Sequence, residues 1–244
     1  MLGLGIFAVL AGVNVAPASE LLAKLFPSST YAERLLIGRR AQLGDELVYR
    51  PGVIGGSSVD GALTYGEFDL QFFAELMECA MAGRSAGRTL VDVGSGCGRL
   101  VLASAVLWPD LACCAGVERV PELHRLAVDA ADRAALSAPR CRFFCGDAAD
   151  ELAPGGELAG ADLVFAYCSA FASEGLMLSD FSAVCGRCLQ VGTRVVTTDK
   201  QLASVEGLWK FELLHSIEGP NVETGGQSVG YVHEVTQVMQ ASEG

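Results

Sequence analysis

The run Leu90-Val91-Asp92-Val93-Gly94-Ser95-Gly96-Cys97-Gly98-Arg99 restricts the fold more than any other stretch of this chain. Thr89 to Val93 is short, apolar and rich in β-branched residues, which reads as a buried strand, and Leu100 to Leu107 is long enough for a helix. Glycine between them lets the chain reverse within a few residues and lets a ligand approach the backbone without meeting a Cβ. A dinucleotide fold wants G-x-G-x-x-G with a pyrophosphate on the helix N-terminus. Here the pattern is D-x-G-x-G-x-G, which puts Arg99 where the third dinucleotide glycine would pack. It also puts Asp92 just before the turn, a poor neighbour for a pyrophosphate. The turn suits a cationic ligand, and a plain strand-to-helix junction of any α/β domain would carry the same glycines.

After Thr89 the chain alternates strand and helix. Strands are expected at 89–93, 112–117, 141–145, 162–167 and 193–198, with helices at 98–107, 121–135 and 174–189. Such alternation gives right-handed crossovers and a mainly parallel sheet. Past Trp209, Lys210-Phe211-Glu212-Leu213-Leu214, a glycine-rich turn and alternating apolar residues from Val229 to Met239 predict a terminal antiparallel hairpin. Upstream, Glu20 to Leu47 has helical spacing, broken near Phe26-Pro27-Ser28-Ser29 and at Gly38, and should cap the main domain. Pro51 to Gly61 reads as a loop, and Phe68 to Ala82 returns to helix.

Met1 to Ser19 is uncharged and mostly apolar, and Ala16-Pro17-Ala18 loosely resembles a cleavage site, but no positive residue precedes it. A cleaved targeting segment, a membrane anchor and an ordinary buried or frayed helix are all compatible with it. At 244 residues with 51% apolar and 19% charged residues, the chain accommodates one α/β domain with an N-terminal extension, and no internal run is long enough to span a bilayer. The net charge of −12 and a largest basic cluster of only Arg39-Arg40 leave no electrostatic footprint for tight nucleic-acid binding. The nine cysteines lie mostly in apolar segments and read as small hydrophobes in a reducing compartment. Cys185-Gly186-Arg187-Cys188 has no second pair to complete a metal site, so no metal is expected.

Further acids fall at the carboxyl ends of expected strands, where ligands bind in open α/β sheets. Glu118 closes the second strand and can accept both hydroxyls of a ribose. Asp147 closes the third, and Asp162 begins the fourth. Five parallel strands followed by two more resemble the Rossmann-like, seven-strand sheet of class I methyltransferases that use S-adenosylmethionine (SAM). SAM's sulfonium, ammonium and carboxylate match a strand-end acid and a helix N-terminus.

Within that class the chain most resembles the Dot-type (disruptor of telomeric silencing) histone-lysine methyltransferases. Four segments carry the resemblance: Tyr65-Gly66-Glu67 ahead of Phe68-Asp69-Leu70, the glycine turn with Leu100-Val101-Leu102, Val164 to Phe171, and Gly192 to Lys200, with a looser match in Gly226 to Tyr231. The resemblance implies an apolar segment 1–19, a helical cap and cofactor-covering loop over 20–82, and a methyltransferase domain over 83–240. It implies cofactor contacts from Tyr65, Glu67, Asp92, Gly94, Ser95, Gly96, Gly98, Glu118, Asp147 (to the adenine amino group) and Tyr167. Tyr65, Phe171 and Tyr231 are the expected walls of a channel that desolvates a lysine amine and delivers it neutral. Tyr167 and Cys168 replace the family's paired asparagines beside the methyl donor, and the family's DNA-binding basic segment is missing. The expected partner is therefore a protein lysine, histone included. The same fold acting on a non-histone protein or small molecule is the alternative, and a non-catalytic SAM-binding protein is the third reading. A nuclear, chromatin role follows from the resemblance, and an organellar or secretory route follows if residues 1–18 are cleaved.

Overall fold

The computed structural model describes residues 12–43 and 64–239. Two helices open it, α1 (Ala16–Leu25) and α2 (Tyr31–Leu43), joined by a 3-10 turn (Ser28–Thr30), and α3 (Leu70–Met81) follows. Then come β1 (Thr89–Val93), α4 (Arg99–Leu107), β2 (Cys113–Glu118), α5 (Pro121–Arg133), β3 (Cys141–Cys145), the short α6 (Ala148–Glu151), β4 (Leu163–Ala166), α7 (Ser179–Cys188), β5 (Arg194–Thr198), β6 (Lys210–Pro220) and β7 (Gln227–Gln237). The strands form one seven-stranded sheet in the order β3-β2-β1-β4-β5-β7-β6. The first five are parallel, and β7 inserts antiparallel between β5 and β6.

Period-2 alternation divides the apolar residues between two cores. Leu90, Cys114, Leu163, Phe165 and Val196 face the core shared with α1, α3, α4 and α5. Val91, Val93, Ala115, Val117, Val164 and Val195 face the core under α7 and Trp209. Cover on both faces explains why the central strands read as unbroken apolar runs. Strand order reverses at β1, with β2 and β3 on one side and β4 and β5 on the other, so a crevice opens past the carboxyl ends of β1 and β4.

Several expectations shift. The helix expected from 174 starts at Ser179. The residues before it form a tight turn in which Glu174 and Met177 exchange backbone hydrogen bonds around Gly175 and Leu176. Gly38 does not break α2; a Cβ there would lie 2.6 Å from Tyr65 Cβ, so the glycine permits a close crossing. The division expected after residue 19 falls inside α1, whose Ala18 and Leu22 are buried, and α1 packs on α4. Helix α3 lies against β5, β6 and β7 and belongs to the sheet's own cover rather than to a separate cap. Residues 1–11 and the expected loop over 51–61 lie outside the described residues.

Candidate functional site

The glycine turn is held from beneath. Gly94 and Ser95 donate their amides to the Val117 carbonyl at 2.9 and 3.0 Å, and Gly96 N donates to Glu118 Oε2 at 2.8 Å. Gly94, Gly96 and Gly98 have φ of 76°, 55° and 82°, the left-handed region that favours glycine. Their surroundings differ. Among the described residues a Cβ on Gly94 would meet only Phe171 Cζ at 4.0 Å, so this face opens to the cavity, whereas on Gly96 it would press on Tyr65 at 2.9 Å. On Gly98 it would strike Phe143 at 2.7 Å and Ala127 at 2.9 Å. Gly98 is thus a packing glycine under β3 and α5 and is not among the cavity-lining residues, contrary to the expected cofactor contact.

A cavity of about 360 Å³ sits on this turn at the reversal of strand order. Tyr65, Glu67, Asp92, Gly94, Ser95, Gly96, Glu118, Asp147, Tyr167 and Phe171 line it, which brings together most of the expected site. Asp92 is 3% exposed, and its carboxyl is pushed up to about 8, first by burial and then by the nearby Glu118. Burial likewise pushes the Glu118 carboxyl up, against the pull of backbone amides, among them Val120 N at 2.7 Å. Both Glu118 oxygens already accept one amide, so its first task is to fix the turn, and its remaining lone pairs face the cavity. Asp147 caps α6 through Ala149 N at 2.9 Å, pairs with Arg119 at 3.9 Å and lies half exposed at the rim.

Over the turn runs the loop Thr64–Phe68. Tyr65 packs on Gly96, and its hydroxyl meets Cys97 Sγ at 3.1 Å and donates to Glu67 Oε1 at 2.8 Å. Burial, then Cys97 and Glu67, drives the Tyr65 hydroxyl far up, so it stays protonated. Glu67 is gripped by two guanidiniums, Arg34 at 2.7 Å and Arg99 at 2.8 Å. Arg34, 4% exposed on α2, also donates to Tyr65 Oη at 3.1 Å and Thr30 Oγ1 at 2.7 Å. Sequence reasoning missed Arg34, because nothing in an isolated arginine of α2 signals a partner 33 residues later.

At the far end Tyr167 lies tilted against Phe68, ring centroids 5.0 Å apart, and Phe171 packs edge-on against Phe181 at 5.7 Å. Ala172, Asp180 and Val184, which sequence reasoning also missed, complete this wall. Cys168 does not join it. Successive residues alternate sides, so Tyr167 reaches the cavity while Cys168 turns into the opposite core, where its amide donates to Thr198 Oγ1 at 3.2 Å. Tyr231 is also absent from the wall, since it lies on β7, paired with Thr197 of β5, and β5 intervenes between β7 and β4. Among the described residues no three His, Cys, Asp or Glu side chains group to hold a metal ion, and no helix is long and apolar enough to cross a membrane.

No protein-family model matches the chain, and no curated protein sequence does. Solved structures do match. TrmN from Thermus thermophilus aligns over 72% of this chain and 51% of its own at 20% identity and a TM-score of 0.50, so this chain spans about half of TrmN's length. A mutant of MtNAS in complex with S-adenosylmethionine aligns over 68% of this chain and 62% of its own at 14% identity, TM-score 0.47. The YcgJ protein from Bacillus subtilis aligns over 66% and 97% at 12% identity, TM-score 0.46. At such identities the likeness to TrmN shows a shared fold, the Rossmann-like α/β sheet. The Dot-type resemblance stays confined to the local segments that carry it.

Proposed function

We propose that this protein is a SAM-dependent methyltransferase whose acceptor is an amine on a non-histone protein or a small molecule. The observation that carries the reading is the pair of buried acids, Asp92 and Glu118, in a cavity at the strand-order reversal. Two buried acids, one of which ionises against both its burial and the carboxyl beside it, call for a cationic ligand in an enclosed site, which SAM is. The donor set fits its other parts. Gly94 leaves its Cα face open, Glu118 retains acceptor capacity for a ribose diol, and the Arg99 guanidinium at the start of α4, whose Nε has no hydrogen-bond partner among the described residues, suits a carboxylate. When bound, SAM supplies a methyl on a sulfonium, and transfer breaks that S–CH₃ bond as an N–CH₃ bond forms, with the amine's proton released to solvent.

The chain's own residues position rather than catalyse by acid and base. Tyr65 and the Arg34-Glu67-Arg99 bridge hold the roof closed and exclude water. Tyr167, Phe171 and Phe181 form an aromatic wall that favours the neutral amine. Loss of the family's asparagines at Tyr167-Cys168, with Cys168 turned away, supports an acceptor other than the nucleosome.

Calorimetry with SAM tests the cofactor. Binding is expected, with Glu118→Ala weakening it about 10- to 100-fold for loss of the hydrogen bonds that hold the turn and ribose. Binding of NADH without SAM would overturn the reading. Transfer of label from tritiated SAM to free histones, nucleosomes and whole lysate then sorts the acceptor. Labelling confined to non-histone proteins or small molecules is expected, nucleosome labelling would restore the Dot-type reading, and SAM binding with no labelling anywhere would leave a non-catalytic binder.

A further inference from the structure

We propose that Glu223, on the turn between β6 and β7, is the latch that holds the cofactor-site roof shut and ties it to the acceptor wall; the cofactor part of this rests on the function proposed above. The roof loop is gripped from two sides. Arg34 and Arg99 hold the side chain of Glu67, but its backbone is held from the hairpin, where Glu67 N donates to Glu223 Oε1 at 2.6 Å. The hydroxyl of Tyr31, on α2, donates to the same carboxylate at 2.6 and 2.8 Å. Glu223 thus joins α2, the roof and the hairpin through one side chain. Gly66 lies directly beneath, where an added Cβ would touch Tyr167 at 3.3 Å and Glu223 at 3.7 Å, so roof, latch and acceptor wall meet at one point.

The turn is also tied by hydrogen bonds to the segment that follows Tyr167. Asn221, whose Oδ1 accepts from the amides of Glu223 and Thr224, donates from Nδ2 to Ser228 Oγ at 2.9 Å. Ser228 donates to Asp199 at 3.2 Å, and Asp199 accepts from Ser169, two residues past Tyr167, at 2.7 Å. Outside the latch lies a second cavity of about 620 Å³ lined by Tyr31, Arg34, Glu67 and Val222, which gives the carboxylate room to swing clear. Glu223 itself is exposed, as a releasable latch must be, while the Tyr65 and Cys97 it secures are 8% and 1% exposed.

Cys97 makes the latch measurable without any ligand, because its thiol is 1% exposed and lies against the Tyr65 hydroxyl at 3.1 Å. Alkylation by iodoacetamide, followed peptide by peptide in the mass spectrometer, is compared for wild type, Glu223→Ala and Glu223→Gln. Glu223→Ala is expected to speed Cys97 alkylation about tenfold, as loss of charge-assisted hydrogen bonds implies. Glu223→Gln, which keeps an acceptor oxygen, should speed it two- to threefold by the same reasoning. The buried Cys168 and Cys185 should keep their wild-type rates in both variants. A Cys97 rate within about twofold of wild type in Glu223→Ala, or a common acceleration of all three cysteines, overturns the latch. In stopped flow, SAM dissociation should quicken by the same factor as Cys97 alkylation. A wild-type protein that binds no SAM refutes the proposed cofactor, while the cysteine comparison still decides the latch.

Discussion

Asp92 and His233 are buried ionisable groups that pull stability in opposite directions with pH. His233 on β7 is 2% exposed; burial pushes its pKa down to about 4, against the upward pull of the Val195 backbone. Between about pH 4 and 6.5 the unfolded chain binds this proton and the folded one does not, so stability rises with pH through that window and is level above it. The span amounts to about 3 kcal/mol. Asp92, raised to about 8, behaves in reverse, because the folded state holds the proton and the unfolded state has released it by about pH 4. Its contribution falls as pH rises to 8. The two offset each other up to about pH 6.5, and from there to 8 the Asp92 contribution goes on falling, by about 2 kcal/mol, in the same direction as that of the raised Glu118 beside it. Urea melts across this range should show that late decline shrink in Asp92→Asn, while His233→Leu should gain stability at pH 5. A wild-type profile flat from 6.5 to 8 would sink the assignment to Asp92. At this scale the places of Asp92 and Glu118 in the cavity wall were legible in the sequence, since each sits at a strand end, and that of Tyr65 followed from the Tyr-Gly-Glu resemblance. Cys168 was expected at the site from the paired asparagines of the resemblance, and the alternation past β4 admits Tyr167 and turns Cys168 away.

At the scale of elements, the contact that sets the sheet's cover is α3 against the hairpin. Phe72 and Leu76, one helical turn apart, press on Gly219 of β6 and Gly230 of β7, where a Cβ would lie 2.4 and 2.3 Å from their side chains. Gly230→Ala should therefore destabilise by about 1–3 kcal/mol through overpacking. Leu76→Ala in the same chain should restore part of the loss, since the methyl then fills vacated space. Additive effects of the two substitutions in chemical denaturation would refute the contact. The strands β1 and β3 and the helix α4 followed from local pattern, because the β-branched run of β1, the paired phenylalanines of β3 and the glycine turn before α4 are short-range signals. The roof's attachment did not: Glu223 and Glu67 are 156 residues apart, and no periodicity within either segment announces the other. Gly38 was misread for the same reason, as a helix break rather than a crossing made necessary by Tyr65.

The whole molecule carries 29 acidic against 17 basic side chains, and the cavity rim adds Asp147 and Asp180 to that field. A surface of one sign raises the local concentration of oppositely charged partners and repels like-charged ones over roughly a Debye length, about 10 Å at 0.1 M salt. If the acceptor is a cationic amine, encounter is steered, and kcat/KM should fall about three- to tenfold as ionic strength rises from about 0.02 to about 0.3 M. The fall should sit in KM, because the aromatic wall that handles the amine after capture is enclosed and poorly screened. An RNA acceptor would behave in the opposite sense, since added salt relieves its repulsion from an acidic protein. Initial rates against salt, with a lysine-rich peptide and with transfer RNA as acceptors, separate the two. A rate that climbs with salt on RNA would refute the amine reading while leaving the cofactor site intact, because Asp92 and Glu118 lie buried below the reach of the screening ions.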